Sequence, residues 1–458
     1  MKHSKYSVLT MILALLLSLS LVACGTEPTD NTTATTEKVC AQHQWVEANC
    51  TTPKTCLTCG VTEGSRLENA HAYAASGEWY ACVFCGTQAP DDSKACTHVT
   101  GKDTCPICGK TALNVIKNVI YIIGDGMGLE HIAAGEIAYG KDYRFEDWQF
   151  ASVNTDSLTS SGRNQSELTD SAAGGTALAT GTVTLNGYVG KDQNGNDLTT
   201  VLDYARSYGK RTGLITTDYL YGATPGAFSA HCDDRDKYDE ILASQILSQI
   251  DLLCGAESTT NYLSGNTISD NGYVHCKTLS VMKQNLSVEK LYCTLQMGGY
   301  KSESKPVALS EATAVALDYL DDDADGFMLV IEQAHIDKAS HNKNCEDMVK
   351  AVDELNNTIE AIFSWLGERT DTAIVITADH ETGDFSVSRS KTLPYSANVA
   401  GVTFYYRFNS GSHTKSNVGL FIYGADVDVE KHSYFKTPYT VKNSDVYTIV
   451  YRLLRDMR

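Results

Sequence analysis

The segment that indicates chemistry most directly is LTDSAAGGTALATG, residues 168–181. Ser171 follows an aspartate there and precedes small residues typical of the first turn of a helix. The free N–H groups and partial positive charge of a helix N-terminus suit a bound phosphate or a developing alkoxide. Ser and Asp are also common helix caps, so this segment alone leaves capping as an equal alternative.

Carboxylates and histidines recur at positions where a metal site would need them. Asp337 and His341 are four residues apart, which places them on one helix face, as a pair of metal ligands requires. Asp379 and His380 are adjacent at the end of an apolar strand, where neither is favoured without a partner. Together with Ser171, this pattern predicts a metal-assisted phosphate site. The other polar residues assigned to it are Asp125 in GDGMG, Thr224 and Arg235 in ATPGAFSAHCDDR, Glu332 in EQAHIDKASH, and His413 in GSHT.

Apolar strands that alternate with helical stretches would position these residues. Strand-like runs include VIYII before GDGMG, TGLITT, FMLVIE and TAIVIT, and the stretch CEDMVKAVDELNNTIEAIFSWLGER has apolar residues at helical spacing. This alternation predicts an α/β fold with a mostly parallel central sheet and helices on both faces. Ligands of such folds bind at the carboxyl ends of the strands. The sequence places Asp125, Glu332, Asp379 and His380 there.

The N-terminal part of the chain predicts a targeting leader and a tether. Residues 1–23 combine two lysines with an apolar run that is too short for a good membrane span and has the form of a signal peptide. The letters LVAC resemble a bacterial lipobox that would leave Cys24 as a lipid-bearing N-terminus, although an ordinary cleaved signal is the alternative. The polar, Thr-rich residues 24–38 are typical of a flexible tether. We therefore expect an extracytoplasmic protein that is lipid-anchored to the bacterial cell membrane.

A cysteine-rich region follows at 39–112 and precedes the large region 113–458. It holds nine of the 15 cysteines and three CxxCG knuckles, each of which can place two thiolates on one tetrahedral metal ion. The region resembles zinc-ribbon-like repeats. A disulfide framework is the alternative that export permits, but an odd count leaves at least one cysteine unpaired. The structural zinc candidates are Cys40, His43, Cys56, Cys59, Cys82, Cys85, Cys96, Cys105 and Cys108, with Cys50, His71 and His98 as further options.

The net charge of the 458-residue chain is −19 at pH 7. A surface of this sign does not favour nucleic acid as a partner. An anionic substrate must therefore be attracted by local cations, which are metal ions or arginine.

The region from about residue 114 to the C-terminus resembles the alkaline phosphatase family. The motifs GDGMG, TDSA, ATPGAFSAHCDDR, EQAHIDKASH, TADH and SHT occur in family order. The resemblance implies Ser171 as a nucleophile that carries a covalent phosphate, Arg235 as the phosphate-binding guanidinium, and Lys338 as a contact to phosphate through water. It also implies two zinc ions and one magnesium ion. The implied ligands are Asp337, His341 and His413 for one zinc, Asp125, Asp379 and His380 for the second, and Asp125, Thr224 and Glu332 for magnesium.

The sequence departs from the family pattern in three ways. Gly174 and Gly175 stand where alanine and serine are usual, and glycine costs helix stability. Gly222 lies two residues before Thr224, where relatives carry an Asp or His near the magnesium, and this predicts loosely bound magnesium. The region 113–458 is short for the family, which leaves a homodimer open.

The leading interpretation is an alkaline phosphatase that acts on small-molecule phosphate monoesters. A phosphodiesterase or sulfatase of the same superfamily is one alternative. Sulfatases need a modified Cys or Ser in a CxPxR-type motif, which is absent around Ser171, and phosphodiesterases commonly carry Thr as nucleophile and lack the arginine at the end of ATPGAFSAHCDDR. A doubly charged monoester needs that arginine. The other alternative is a non-enzymatic zinc-binding surface lipoprotein, which the presence of every expected ligand and the nucleophile opposes.

Overall fold

The computed structural model describes residues 45–46, 54–56, 62–63, 73–76, 79–82, 116–162, 164–260, 262–297, 306–321, 323, 325–424 and 440–455. The chain divides into two compact units, Met1–Cys96 and Thr97–Arg458. The leader, Cys24, the tether and most of the CxxCG cysteines lie outside the described residues, so the predictions for them stay predictions. Among the helices of the described ranges, none has the length and apolarity of a membrane span.

The first unit contains short antiparallel strands. Strands β1 (Trp45–Val46), β2 (Lys54–Cys56) and β3 (Thr62–Glu63) form a sheet in that order, and β4 (Tyr73–Ser76) pairs with β5 (Trp79–Cys82). Strands β2 and β5 end at the first cysteine of a CxxCG knuckle. The choice between zinc and disulfides stays open there.

The strands of the second unit alternate with its helices along the chain. In chain order the strands are β6 (Asn118–Gly124), β7 (Gln149–Asn154), β8 (Ser157–Leu158), β9 (Gln165–Glu167), β10 (Arg211–Thr216), β11 (Leu252–Ala256), β12 (Tyr273–Cys276), β13 (Lys290–Leu295), β14 (Phe327–Gln333), β15 (Thr372–Thr377), β16 (Glu381–Thr382), β17 (Phe385–Ser388), β18 (Tyr395–Val399), β19 (Val402–Phe408), β20 (His413–Thr414), β21 (Val418–Tyr423) and β22 (Thr440–Lys442). The helices are α1 (Leu129–Tyr139), α2 (Ser171–Thr180), α3 (Val201–Ser207), α4 (Ala223–Ser229), α5 (Tyr238–Leu247), α6 (Gly265–Asp270), α7 (Leu279–Lys283), α8 (Leu309–Leu320), α9 (His335–His341), α10 (Cys345–Leu366) and α11 (Asn443–Arg455).

A ten-stranded sheet forms the centre of the second unit, in the order β12-β13-β11-β10-β14-β6-β15-β21-β7-β22. Its first seven strands are parallel to one another, while β21 is antiparallel to both β15 and β7. Every residue of β6, β14 and β15 is buried, so both faces of the sheet must be covered. Helices α1, α8 and α10 pack together, and α2, α3, α4 and α11 form a second packed group. The predicted fold class is confirmed for this unit.

Register brings the carboxyl ends of the central strands to one edge. Glu332 of β14 pairs with Thr216 of β10 on one side and with Ile123 of β6 on the other. Strand β15 pairs with β6 so that Thr377 lies beside Ile123. The residues that follow these strand ends therefore meet at the same edge, as the sequence predicts.

Candidate active site

Ser171 is the first residue of helix α2, and Asp170 caps that helix. Oδ1 of Asp170 accepts a hydrogen bond from the backbone N–H of Ala173 at 2.9 Å, and Gly181 ends the helix with a φ of 72°. The capping interpretation of the segment is thus correct for the aspartate. The serine is free for another role, since its buried hydroxyl faces Nε2 of His380 at 3.2 Å.

Helix α2 is buried along its whole length, and its two glycines have a packing reason. A Cβ on Gly174 would lie 2.9 Å from the backbone oxygen of Asp379, and one on Gly175 would lie 3.1 Å from the Cβ of Ala227. A side chain at 174 would push the helix away from the Asp379 backbone, and one at 175 would crowd Ala227 of helix α4. Glycine therefore lets the helix of Ser171 approach the metal-ligand candidates closely.

One cluster of candidate ligands lies directly beside Ser171. Nε2 of His380 is 3.5 Å from Oδ1 of Asp125 and 3.3 Å from Oδ2 of Asp379. Oδ1 of Asp379 accepts the backbone N–H groups of Gly126 and His380, at 3.2 and 3.0 Å. These bonds turn Oδ2 toward the histidine, and all three of the ligand candidates are buried.

The second cluster contains Asp337, His341 and His413. Oδ1 of Asp337 lies 3.3 Å from Nε2 of His341 and 3.6 Å from Nε2 of His413. Helix α9 carries the first two ligands, and the pairing of β16 with β20 brings His413 to them. The rings of His413 and His380 stack with centroids 3.5 Å apart, so the two clusters adjoin.

Backbone carbonyls determine which nitrogen of each histidine is available. Nδ1 of His341 lies 2.8 Å from the oxygen of Gly411, and Nδ1 of His413 lies 2.8 Å from the oxygen of Thr169. A carbonyl only accepts, so both Nδ1 atoms donate, and in the neutral form of each ring Nε2 presents a lone pair. The two Nε2 atoms lie 3.1 Å apart, beside the carboxylate of Asp337. Such an arrangement is stabilised by a cation between them.

Unpartnered oxygens show that the residues fit bound cations. Oδ1 of Asp125, Oδ2 of Asp379 and Oγ1 of Thr224 are buried and form no hydrogen bond of ordinary geometry with any described residue. Buried polar atoms almost always have partners, and a buried carboxylate without one is costly. Metal ions at these positions would satisfy all three oxygens.

The electrostatics of the cluster agree with this fit. Burial raises the pKa of Asp125 well above its ordinary value, and nearby carboxylates, that of Asp379 first, raise the pKa further. Burial also lowers the pKa of His380 well below its usual range, and the His413 ring and the Arg235 guanidinium lower it further. His380 is therefore neutral, which is the form that binds metal.

A third group of oxygens, those of Thr216, Thr224 and Glu332, lies near the ends of β10 and β14. Glu332 is buried and accepts a hydrogen bond from the hydroxyl of Thr216. Burial raises the pKa of Glu332 to about 7, and the carboxylate of Asp218 adds to that rise, while the hydroxyls of Thr216 and Thr224 oppose it. Lys338 forms an ion pair with Asp218.

Arg235 contacts helix α2 through Asp170. Nη1 of Arg235 donates a hydrogen bond to Oδ2 of Asp170 at 3.1 Å. Burial opposes the charge of the guanidinium, but the Asp170 carboxylate beside it more than offsets this effect and raises the pKa of Arg235. The side chain of Arg235 is 35% exposed, so part of the guanidinium is accessible to an anion.

The structure thus brings together all eight predicted metal ligands, Ser171 and Arg235, with Lys338 at the edge of the third group. Sequence reasoning did not single out Asp218 or Thr382. The hydroxyl of Thr382 donates to Asp337 and lies 3.3 Å from Nδ1 of His380, so it orients a ligand of each cluster. Asp218 comes shortly after the end of β10, in TTD, and Thr382 shortly after the end of β15, in TADHET, and this position near a strand end was the available signal.

The fold and the site define an α/β protein with candidate metal-binding groups at the carboxyl ends of parallel strands. Residues 116–257 and 293–445 match the sequence model of the alkaline phosphatase family, and the chain belongs to that family. The resemblance drawn from the motifs is therefore confirmed.

Named relatives agree with this membership. Alkaline phosphatase 4 of Bacillus subtilis is 32% identical over 297 residues, which are 59% of this chain and 63% of that protein. The repressible alkaline phosphatase of Saccharomyces cerevisiae is 28% identical over 333 residues, which are 62% of this chain and 58% of that protein. The chain thus spans less than two thirds of the length of these relatives.

Two solved structures share the fold. The cold-active alkaline phosphatase from the psychrophile Shewanella sp. is 23% identical, with a TM-score of 0.63 over 74% of this chain and 99% of that chain. The alkaline phosphatase from the Antarctic bacterium TAB5 is 21% identical, also with a TM-score of 0.63. At this identity the likeness concerns the fold alone.

Proposed function

We propose that this protein hydrolyses phosphate monoesters through a covalent phosphoserine at Ser171. The position of the Ser171 hydroxyl carries the proposal. It lies at a helix N-terminus, 3.2 Å from Nε2 of His380. The preceding residue, Asp170, accepts a hydrogen bond from the Arg235 guanidinium. A helix N-terminus and an arginine both bind phosphate oxygens.

We propose two zinc ions and one magnesium ion as cofactors. Carboxylate and imidazole donors suit zinc, while carboxylate and hydroxyl oxygens suit magnesium. When bound, such ions supply positive charge that lowers the pKa of the serine hydroxyl and offsets charge on the phosphoryl oxygens. The residues that would hold them are Asp337, His341 and His413 for one zinc, Asp125, Asp379 and His380 for the other, and Asp125, Thr224 and Glu332 for magnesium.

The chain's own residues account for the course of the reaction. Oγ of Ser171 would form a bond to phosphorus as the bond from phosphorus to the leaving oxygen breaks, and the leaving group would depart with a proton. Arg235 and the first N–H groups of α2 would bind the other phosphoryl oxygens through both displacements. Water would then displace Ser171 from phosphorus, so that the serine regains its proton and inorganic phosphate leaves.

The charge of the site favours a monoester over a diester. A monoester presents a doubly charged phosphoryl group, and Arg235 can grip two of its oxygens. Lys338 adds a second cation, and its side chain is 43% exposed. The physiological substrates that we propose are small-molecule monoesters, with no nucleic acid as a specific partner.

The decisive experiment compares an aryl phosphate monoester with the matching diester on one purified sample. Zinc and magnesium are quantified on that same sample. We expect clearly faster turnover of the monoester. Faster turnover of the diester would favour a phosphodiesterase, and a fully metal-loaded protein that hydrolyses neither would favour a binding protein.

We also propose that the protein is lipid-anchored and extracytoplasmic. The proposal is based on the sequence of residues 1–24 alone. Metabolic labelling with palmitate should mark the wild-type protein at the membrane. A Cys24→Ser variant that keeps the label would contradict the assignment of Cys24.

A further inference from the structure

Asp218 lies just after the end of β10, beside the third group of oxygens. The backbone N–H of Asp218 donates to Oγ1 of Thr216 at 2.8 Å, and the same hydroxyl donates to Glu332. One threonine thus holds the glutamate and fixes the start of the loop that carries Asp218. The carboxylate of Asp218 has a side-chain exposure of only 18%.

The two oxygens of Asp218 have different surroundings. Oδ1 accepts a hydrogen bond from the ammonium of Lys338. Oδ2 faces the backbone of Gly222, where an added Cβ would lie only 2.8 Å from it. The missing side chain at position 222 therefore makes the room that the Asp218 carboxylate fills.

Charge at this place is unbalanced. Asp218 and Glu332 are near enough to repel, and Asp125 adds a third carboxylate to the field of Lys338. Among the described residues around them, the Lys338 ammonium faces these three carboxylates and the Arg235 guanidinium acts on Asp125, so negative charge stays in excess. The hydroxyl of Thr224 is also buried here, with no hydrogen bond of ordinary geometry to the described chain. A divalent cation would both neutralise the excess charge and give the hydroxyl a partner.

We propose that Asp218 is a positioning residue for the cation held by Asp125, Thr224 and Glu332. It supplies negative charge beside that cation and restrains Lys338 at the edge of the site. The proposal rests on the proposed third cation site. Carboxylate and hydroxyl oxygens are hard donors, so the ion that this set favours is magnesium.

Magnesium binding tests the proposal without reference to activity. Isothermal titration of Mg²⁺ into the zinc-loaded full chain would compare wild type with Asp218→Asn. We expect the dissociation constant for Mg²⁺ to rise by about tenfold or more. Asp239→Asn is the matched control, because it removes an exposed carboxylate of helix α5, and its Mg²⁺ affinity should equal that of wild type.

A lysine variant separates a role in magnesium binding from a merely structural one. If the ion pair with Lys338 only stabilised the loop, Lys338→Met and Asp218→Asn would weaken Mg²⁺ binding alike. Removing a nearby ammonium should instead leave Mg²⁺ affinity unchanged or tighten it. Equal weakening by both variants would overturn the proposal.

Glu332→Gln distinguishes failure of this inference from failure of the site itself. If Glu332→Gln and Asp218→Asn both lose Mg²⁺ affinity, Asp218 belongs to the site. Loss in Glu332→Gln alone would refute the role of Asp218 and leave the third cation site intact. Unchanged affinity in both would refute the site. If Asp218→Asn does not fold, Asp218→Glu, which keeps the charge, should restore folding and Mg²⁺ binding. A folded Asp218→Glu whose Mg²⁺ affinity equals that of Asp218→Ala would count against the proposal.

Discussion

Arg235 is held against the helix of Ser171 by Asp170, whose Oδ2 lies 3.1 Å from Nη1 of the guanidinium. The same Oδ2 also accepts the backbone N–H of Gly187 at 2.9 Å. The other oxygen of Asp170 caps helix α2 at Ala173. One carboxylate thus places the Arg235 guanidinium and Ser171 on a common support.

Replacing Ser171 with alanine should abolish the covalent intermediate. The variant Ser171→Ala should lose several orders of magnitude in kcat, because the route through phosphoserine disappears. Mass spectrometry after acid quench of turnover should find phosphate on Ser171 in wild type only. Thr180→Ala, which removes a hydroxyl from the same helix, is the control and should keep the intermediate. Phosphate trapped on another residue would contradict the assignment.

Replacing Arg235 with alanine should harm monoesters more than diesters. We expect kcat/KM for a monoester to fall about a hundredfold in Arg235→Ala, since one charged donor to the phosphoryl oxygens is lost. A diester carries one fewer charge on the transferred group, so its loss should be smaller. Arg206→Ala removes an exposed helix arginine and should leave both rates unchanged. Equal losses for the two substrates would show that Arg235 does not face the phosphoryl group.

Metal removal should destabilise the protein more at pH 8 than at pH 5. Without metal, burial raises the pKa of Glu332 from 4.5 to about 7, and the pKa values of Asp125 and Asp379 also rise. A carboxyl group with a raised folded pKa stabilises the fold below its unfolded pKa, and this stability is lost as pH rises through the folded pKa. Bound cations would favour the charged carboxylates instead. Calorimetric Tm values of chelated and metal-loaded protein should therefore differ by a gap of several degrees that widens between pH 5 and pH 8. A gap that narrows would contradict this account.

Adding aspartate at Gly222 should weaken magnesium binding. A Cβ at this position would lie 2.8 Å from Oδ2 of Asp218 and 3.0 Å from the backbone oxygen of Tyr219. Overpacking of this kind costs about 1–3 kcal/mol, and the new charge would repel Asp218. In Gly222→Asp, denaturant unfolding should show a lower free energy of unfolding, and Mg²⁺ titration should show weaker binding. Gly222→Ala should show only the loss of stability that overpacking causes. Tighter Mg²⁺ binding in Gly222→Asp would favour the sequence-based expectation that position 222 leaves the site short of a polar group.

The amino-acid sequence alone determined the fold class and the set of residues available for chemistry. Apolar runs such as VIYII and FMLVI form buried strands because they have no polar face to turn to water, and Asp125 and Glu332 lie where those strands end. Helix α2 begins at Ser171 because Asp170 supplies its cap. These are local consequences of side-chain polarity and backbone hydrogen bonding, so a linear pattern suffices to predict them.

The tertiary structure alone decided how those residues act on one another. Gly174 is required by the approach of the Asp379 backbone, more than 200 positions away in the chain. The available nitrogens of His341 and His413 depend on carbonyls of Gly411 and Thr169. Asp218 reaches Lys338 across 120 residues of sequence. Such relationships depend on which strands become neighbours, and no spacing within a single segment encodes that choice.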